Sequence, residues 1–348
     1  MRLEPIPAPS PARRALFAAL ALGAAALVAM GLAALAGGAP GEVAWLVLKG
    51  AAGSKFALLE TLNRATPLIF TGLAVAVAFR AKLWNIGAEA QLYLGAVATV
   101  ALGTGLLDWP AAVLLPVLAV AAMAAGAAAL LVPTFLKTRF GVDEVVTTLL
   151  LNFVALLFVS YLLEGPLKDP MGLGWSKSPP LIEAARLPRL AEGLRLHWGF
   201  GLATICAVLV WVLQTRTTWG FEIRAVGLNA RAARFAGMPV NAVLVRTAIL
   251  SGGLAALAGF SEVAGAKGAL TADLSPGFGY TGIIVAMLAL LHPLGVVVAA
   301  IFVAGVFVGA DSMSRAAGVP SFIADITLAA ALLAMVTALG LSRLRLRR

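Results

Sequence analysis

The chain has 348 residues, 61% of them hydrophobic and only 12% charged, whereas a soluble domain is about half apolar and about a quarter charged. That balance excludes an ordinary soluble enzyme and predicts an all-α fold, a polytopic bundle of transmembrane helices. With Cys206 as the one cysteine and only two histidines, His197 and His292, there is no intramolecular disulfide, and no metal centre is expected.

The first apolar run, 15–36, follows Arg13-Arg14 and stops at Ala39-Pro40-Gly41. It is longer than the roughly 7–15 residues of a signal-peptide core, so it reads as a retained helix. Further runs lie near 66–79, 84–105, 110–136, 144–163, 198–214, 241–263, 280–291, 293–310 and 322–341. Many approach the roughly 20 residues that cross a hydrocarbon core. Ten spans place both termini on one side of the membrane.

The basic residues choose that side. Segments 1–14, 80–82, 137–144, 215–246 and 343–348 hold 16 of the 26 Lys and Arg residues, against four acids. Cytoplasmic loops carry such an excess. The net charge of +10 is therefore a topology signal, not a nucleic-acid patch. The predicted organisation is a cytoplasmic N-terminus (1–14), a transmembrane domain (15–342) and a basic cytoplasmic tail (343–348). An outer loop spans 165–197 and a basic inner loop spans 215–240.

Two apolar runs resemble each other, Thr71–Phe79 ("TGLAVAVAF") and Thr281–Leu290 ("TGIIVAMLAL"). Each is followed by a break, at Lys82–Gly87 and at His292-Pro293. Interrupted hydrophobic segments in corresponding halves point to a translocation site.

Polar residues inside the spans are few. "WNIGAEAQ" sets Asn85, Gly87, Glu89 and Gln91 within one short stretch. A charge at the bilayer centre costs about 2.5–3.5 kcal/mol on insertion scales. Glu89 is therefore expected to face the interior, a cavity, or a partner such as Arg80 or Lys82. Three readings stand together. Asn85 N-caps a helix with Glu89 near its dipole, or the segment is a helix break beside a pathway, or it touches the ligand. "VDEVVTTLLLNF" puts Asp143 and Glu144 where a helix N-terminus favours negative charge, with Thr148 and Asn152 one turn apart further in. These two either bond neighbouring helices or line the pathway. Gly87, Gly95, Gly277 and Gly282 offer width for a ligand. Asp325 is expected near the outer surface.

The inner loop "FEIRAVGLNARAARFAG" predicts a short amphipathic helix bracketed by Gly227 and Gly237. Its coupling candidates are Glu222, Arg224, Gly227, Asn229, Ala232, Ala233 and Gly237, the alternative being a basic loop solvated beside anionic lipid. No G-x-x-x-x-G-K-[ST] loop, H-E-x-x-H or G-x-S-x-G occurs. "GAAGSK" (Gly50–Lys55) and "GAKG" (Gly265–Gly268) have the wrong spacing, and no catalytic set is expected.

"WNIGAEAQLYLGA", "VDEVVTTLLLNF", "WGFEIRAVGLNARAARFAGM" and "GFGYTGIIVAMLALLHPLGVVVAAIF" occur in this order. Together they resemble the permease subunits of bacterial ABC importers for nucleosides, within the larger family serving ribose, other simple sugars and branched-chain amino acids. The resemblance covers about residues 60–340. Ala90 departs from it, standing where Gly is common. It implies an inner-membrane transport subunit, not an enzyme, without its own cofactor, ATP and Mg being held by separate cytoplasmic ATPase subunits that engage residues 222–237. It also implies a second, related permease chain and a substrate-binding lipoprotein outside, received at 165–197. Nucleosides are the favoured cargo, with ribose-type sugars next and amino acids third. An ion-coupled carrier is the rival of another class, with Glu89 as its one good carboxylate, and a membrane-embedded enzyme is a third.

Overall fold

The computed structural model describes residues 2–5, 40–172, 174–190, 195–317 and 344–347, with isolated residues between 16 and 34 and between 322 and 341. The chain divides into two compact units, Met1–Thr61 with Phe302–Arg348, and Leu62–Ile301. The regular elements among the described residues are helical apart from two four-residue strands, β1 (Arg2–Pro5) and β2 (Leu344–Arg347), which pair antiparallel. The helices are α1 (Pro40–Ala52), α2 (Lys55–Arg80), α3 (Ala88–Gly103), α4 (Ala111–Phe140), α5 (Glu144–Glu164), α6 (Gly199–Arg216), α7 (Thr218–Leu228), α8 (Ala230–Phe235), α9 (Val240–Ser261), α10 (Phe278–Leu288) and α11 (Pro293–Ala317).

Six helical stretches in the described residues are long and apolar enough to cross a membrane. They are Lys55–Arg80, Ala111–Phe140, Glu144–Glu164, Gly199–Arg216, Val240–Lys267 and Pro293–Ala316. Helix α3 has 16 residues and α10 has 11, both shorter than a full span. Most of the expected runs 15–36 and 322–341, and Asp325, lie outside the described residues.

Burial orders the second unit. The most apolar windows of α2 and α9 are 83% and 78% buried, those of α5 and α6 only 22% and 28%, so α2 and α9 are central and α5 and α6 peripheral. Helix α5 turns Val146, Leu150, Phe153 and Leu157 outward and Thr148, Asn152 and Ala155 inward. That is the reverse of a soluble amphipathic helix and is what an apolar solvent demands.

Helix α9 packs mainly against α4 and α3. Lipid offers no hydrophobic drive for that association, so close backbone approach through small residues supplies it. Gly252 of α9 lies against Gly126 of α4, Gly95 of α3 against Ala256, and Gly259 against Leu92. The termini follow local chemistry. Helix α4 ends on Gly141 in the left-handed region (φ 70°), with its N–H turned back to the carbonyls of Leu136 and Lys137. Helix α5 begins with Asp143, whose carboxylate accepts from Val145 N at 2.8 Å. Helix α9 continues as a π-helical turn, Glu262–Lys267, closed by Gly268 at φ 76°.

The segment after α5 is a folded cap tied to other elements by backbone bonds. Ile182 N reaches Gly103 O at 3.1 Å, Leu187 N reaches Ala264 O at 2.8 Å, and Leu181 N reaches Gly268 O at 2.8 Å. His197 lies under this cap, fully buried, its ring against Gly265. Its Nδ1 accepts from Gly199 N at 3.0 Å, which leaves the proton on Nε2.

Burial pushes the His197 pKa down to about 4. The unfolded chain therefore takes up this proton first as pH falls. Stability associated with His197 is complete above about pH 6.5, declines as pH falls toward 4, and is about 2 kcal/mol lower by pH 5. Thermal unfolding of detergent-solubilised protein is expected to shift down between neutral pH and pH 5, and less so in His197→Gln. Equal shifts in both proteins would assign the pH response to other groups.

Candidate functional site

Between α2 and α3 the chain leaves helical geometry from Ala81 to Gly87, with Lys82 at φ 53°. A non-helical segment deep in a membrane protein exposes N–H and C=O groups, each costing about 1–3 kcal/mol if buried unpaired. One face of α5 supplies the partners. Glu144 accepts from Trp84 N at 3.2 Å, the Thr148 hydroxyl accepts from Ile86 N at 3.3 Å, and Asn152 Oδ1 accepts from Ala90 N at 2.9 Å. Asn152 Nδ2 donates back to Ile86 O at 3.0 Å. Residues spaced by four on a helix share a face, so Glu144, Thr148 and Asn152 form a ladder matched to the break. All three are buried.

A second set of side chains fills the other side of the break. Asn85 and Gln91 exchange amide hydrogen bonds at 2.9 and 2.8 Å. Asn85 also donates to Ser251 Oγ at 3.0 Å, and that hydroxyl donates to Ala74 O at 2.7 Å. Asn85 Oδ1 receives Gly87 N at 3.1 Å. Helix α3 therefore begins at Ala88 with Gly87 as its N-cap, not Asn85. Gly87 has no capping side chain, and Asn152 takes that part from α5. A β-carbon on Gly87 would sit 3.0 Å from Thr148 O and 3.2 Å from Thr148 Cβ, so a capping serine or aspartate there would have to push Thr148 aside by a few tenths of an ångström.

Glu89 pairs with neither Arg80 nor Lys82. Its carboxylate receives Gly279 N at 2.6 Å, and the Ser275 hydroxyl is its other partner. Ser275 Oγ in turn accepts from Gly277 N at 3.1 Å and Phe278 N at 2.8 Å. Glu89 and Ser275 together cap the N-terminus of α10, whose free N–H groups and positive dipole end favour a carboxylate. One turn along α3, Tyr93 donates to Ala272 O at 2.8 Å and accepts from Ser275 N at 3.2 Å. Asn152 also reaches Tyr280 Oη at 3.0 Å.

The six residues Asn85, Gly87, Glu89, Gln91, Thr148 and Asn152 are thus brought into one buried assembly. Their polar groups are matched to one another and to backbone, so a ligand meets them only if the break opens.

The two similar segments also meet. A β-carbon on Gly282 would strike Thr71, and one on Gly72 would lie 2.9 Å from Val285 and Val296. The two similar segments therefore pack against each other, Gly282 on Thr71 and Gly72 on Val285. Each helix then ends in left-handed backbone, Lys82 in one and Leu290 and Leu291 in the other. Gly95 and Gly282, read from sequence as width for a ligand, are instead filled by neighbouring helices, Gly95 by the Ala256 backbone and Gly282 by the Thr71 side chain. Lipid-embedded helices gain from such contact and not from empty space.

Helices α7 and α8 form the second candidate region. Its expected single helix is two, broken at Asn229, whose side chain caps α8 through Arg231 N at 3.0 Å and Ala232 N at 3.1 Å. The short helix between Gly227 and Gly237 is α8, and Gly227 itself lies inside α7. It is buried where a β-carbon would strike Arg80 O and approach Ala81 Cα at 3.3 Å. Arg224 donates to the Gln214 carbonyl, and Glu222 is half-buried beside it. Ile223, Val226 and Ala233 pack with Ala78, Leu83 and Leu244 in one apolar cluster. Ala232 and Gly237 are exposed, Gly237 closing α8 at φ 82°.

Ser251 was not separable from ordinary span residues in sequence, and Glu144 was legible only as an acid at a helix N-terminus. The spacing by four of Glu144, Thr148 and Asn152 was the one signal available. Metal-ligating clusters of three or more His, Cys, Asp or Glu are absent among the described residues.

The family described as branched-chain amino acid transport system, permease component, matches residues 57–339. The chain is 39% identical to the glucose ABC transporter permease protein TsgB13 of Haloferax volcanii, over 94% of this chain and 87% of that protein. It is also 39% identical to the guanosine ABC transporter permease protein NupP of Bacillus subtilis, over 78% of each. Identity to the nucleoside ABC transporter permease protein NupB of Lactococcus lactis is 30%, over 80% of this chain and 79% of that one. The chain belongs to this permease family, and it is an ABC transporter permease, a multi-pass transport component and not an enzyme.

Proposed function

We propose that the chain is one of two permease subunits of an ABC importer in a bacterial cytoplasmic membrane, and that its cargo is a nucleoside. The observation that carries the cargo is the likeness, across most of both chains, to guanosine and nucleoside permeases. A sugar is the second reading, favoured by the equal identity to a glucose permease over 94% of the chain. The second subunit is a related, different chain.

In this reading ten spans cross the membrane, including 15–36 and 322–341, and both termini lie in the cytoplasm. The pairing of β1 with β2 supports the same side for both ends. Separate ATPase subunits hold ATP and Mg and press on α7 and α8 through Glu222, Arg224, Gly227, Asn229, Ala232, Ala233 and Gly237. A substrate-binding lipoprotein meets the outer cap, 165–197. The broken helix at 81–87, with Glu89, Thr148 and Asn152 around it, stands beside the pathway as its scaffold.

The test is uptake of labelled guanosine or uridine by cells that depend on this importer. Unlabelled nucleosides are expected to compete far better than glucose or ribose, and uptake is expected to be vanadate-sensitive and to survive ionophores. Competition by glucose or ribose alone moves the cargo to sugars. Collapse under ionophores points to an ion-coupled carrier.

A further inference from the structure

Helix α7 is tied to the polar assembly along the chain itself. What joins them is the stretch from Arg80 to Glu89. At one end Gly227 of α7 is seated on the Arg80 carbonyl and Ala81. At the other end Glu89 holds Gly279 N, at the N-terminus of α10. A non-helical stretch transmits displacement only if its backbone is held on the way. Left to itself, the segment around Lys82 would absorb a push by changing φ and ψ.

Two charged residues outside both candidate sets hold it. Lys137, in the last turn of α4, donates to Lys82 O at 3.2 Å and pairs with Glu144. Glu144, the first residue of α5, accepts from Trp84 N at 3.2 Å with the same oxygen that meets Lys137. One pair therefore fixes a carbonyl and an N–H two residues apart, on either side of Leu83. The tight α4–α5 turn, closed by Gly141 and capped by Asp143, sets the two side chains opposite each other. The Lys137 side chain is 27% exposed and that of Glu144 only 7%, so the pair sits at the rim of the break with the carboxylate inward.

We infer that Lys137 and Glu144 are positioning residues that clamp the 82–84 backbone, so that movement of α7 reaches α3 and α10 instead of being lost in the break. The inference rests on the importer reading. Its content is the role of this pair, which is neither in the coupling helices nor among the pathway candidates. The clamp needs more than opposite charges, because Lys82 O requires a donor and Trp84 N an acceptor. Lys137→Arg keeps both donor and charge, and Glu144→Gln keeps the acceptor without the charge. The exchanged double variant Lys137→Glu with Glu144→Lys keeps an ion pair but offers the wrong group to each backbone atom.

The experiment is the ratio of cargo taken up to ATP hydrolysed, measured on the complete importer reconstituted in liposomes with its binding protein. Lys137→Met is expected to lower that ratio about tenfold, within the usual range of coupling between sites, with ATP hydrolysis per complex close to wild type. Lys137→Arg should restore the ratio, Glu144→Gln should fall between, and the exchanged pair should remain uncoupled. A merely structural role would lower uptake and hydrolysis together and leave the ratio unchanged, which overturns the inference. Full rescue by the exchanged pair also overturns it, since the charges alone would then suffice. Failure of the importer reading is distinct, because the wild-type complex itself would show no ATP-driven uptake.

Discussion

Gly252→Val is expected to abolish the stable, monodisperse protein, while Gly253→Ala one residue later is expected to be tolerated. A β-carbon on Gly252 would strike Gly126 O and come within 2.8 Å of Gly126 C and 2.9 Å of Ala127 Cα. All of these are backbone atoms of α4 and cannot rotate away. Overpacking that side chains can absorb costs about 1–3 kcal/mol, and a clash of two helix backbones stands at or above the top of that range. The cost would spread, because the same face of α9 carries Ala256 against Gly95 and Gly259 against Leu92, and separating α9 from α4 opens the contact with α3. Gly253 faces Met123, whose terminal methyl lies 3.3 Å from an added β-carbon and belongs to a flexible side chain that moves aside cheaply. Size-exclusion profiles and melting temperatures of detergent-solubilised protein separate the two. A Gly252→Val protein that elutes and melts like wild type would mean that the α4–α9 approach does not hold the bundle together.

The helices of the second unit were readable because lipid makes hydrophobicity nearly sufficient, and the runs 110–136, 144–163 and 241–263 coincide with α4, α5 and α9. The break after α2 was readable too, since Asn85, Gly87 and Glu89 are costly in a continuous span. What each residue touches was not. Glu89 faces the interior, one of its expected places, but its partner is neither Arg80 nor Lys82: a helix N-terminus 190 positions along the chain serves it, and helix ends carry no charge that a sequence displays. Glu144 read as a dipole residue because Asp143 beside it is one, while its second task depends on Lys82 adopting φ 53°. The glycines misled for a related reason. A small residue marks close approach, but whether a ligand or another helix approaches is decided by packing. Gly227 read as a bracket of a short helix and is a seat for the preceding one, since the carbonyl of Arg80 occupies the space of its missing side chain.

The seat has an outer side, and Phe235→Asp is the variant expected to act there. Helix α7 buries Ile223, Val226 and Gly227 against the bundle, and α8 buries only Ala233. The opposite side of the pair carries Leu228 at 82% exposure and Phe235 at 97%, with Arg231 and Arg234 beside them. Exposed apolar side chains on a short, well-capped helix fit a partner's cleft, where aromatic and Arg residues carry most of the binding energy. Among the described residues nothing covers the Phe235 ring, so Phe235→Asp should leave folding and membrane insertion intact. It places a charge where the proposed apolar contact with the ATPase would form, an expected loss of about 2 kcal/mol at an anchor residue, or about 30-fold in affinity. The ATPase subunits should then no longer co-purify with the permease, and uptake should fall with them. Gly227→Trp should also stop uptake, but by unseating α7 from Arg80, so that ATPases remain bound and their stimulated hydrolysis is lost. The two variants thereby separate docking from transmission. Wild-type co-purification and uptake in Phe235→Asp would take α8 out of the ATPase contact, leaving α7 alone to make it.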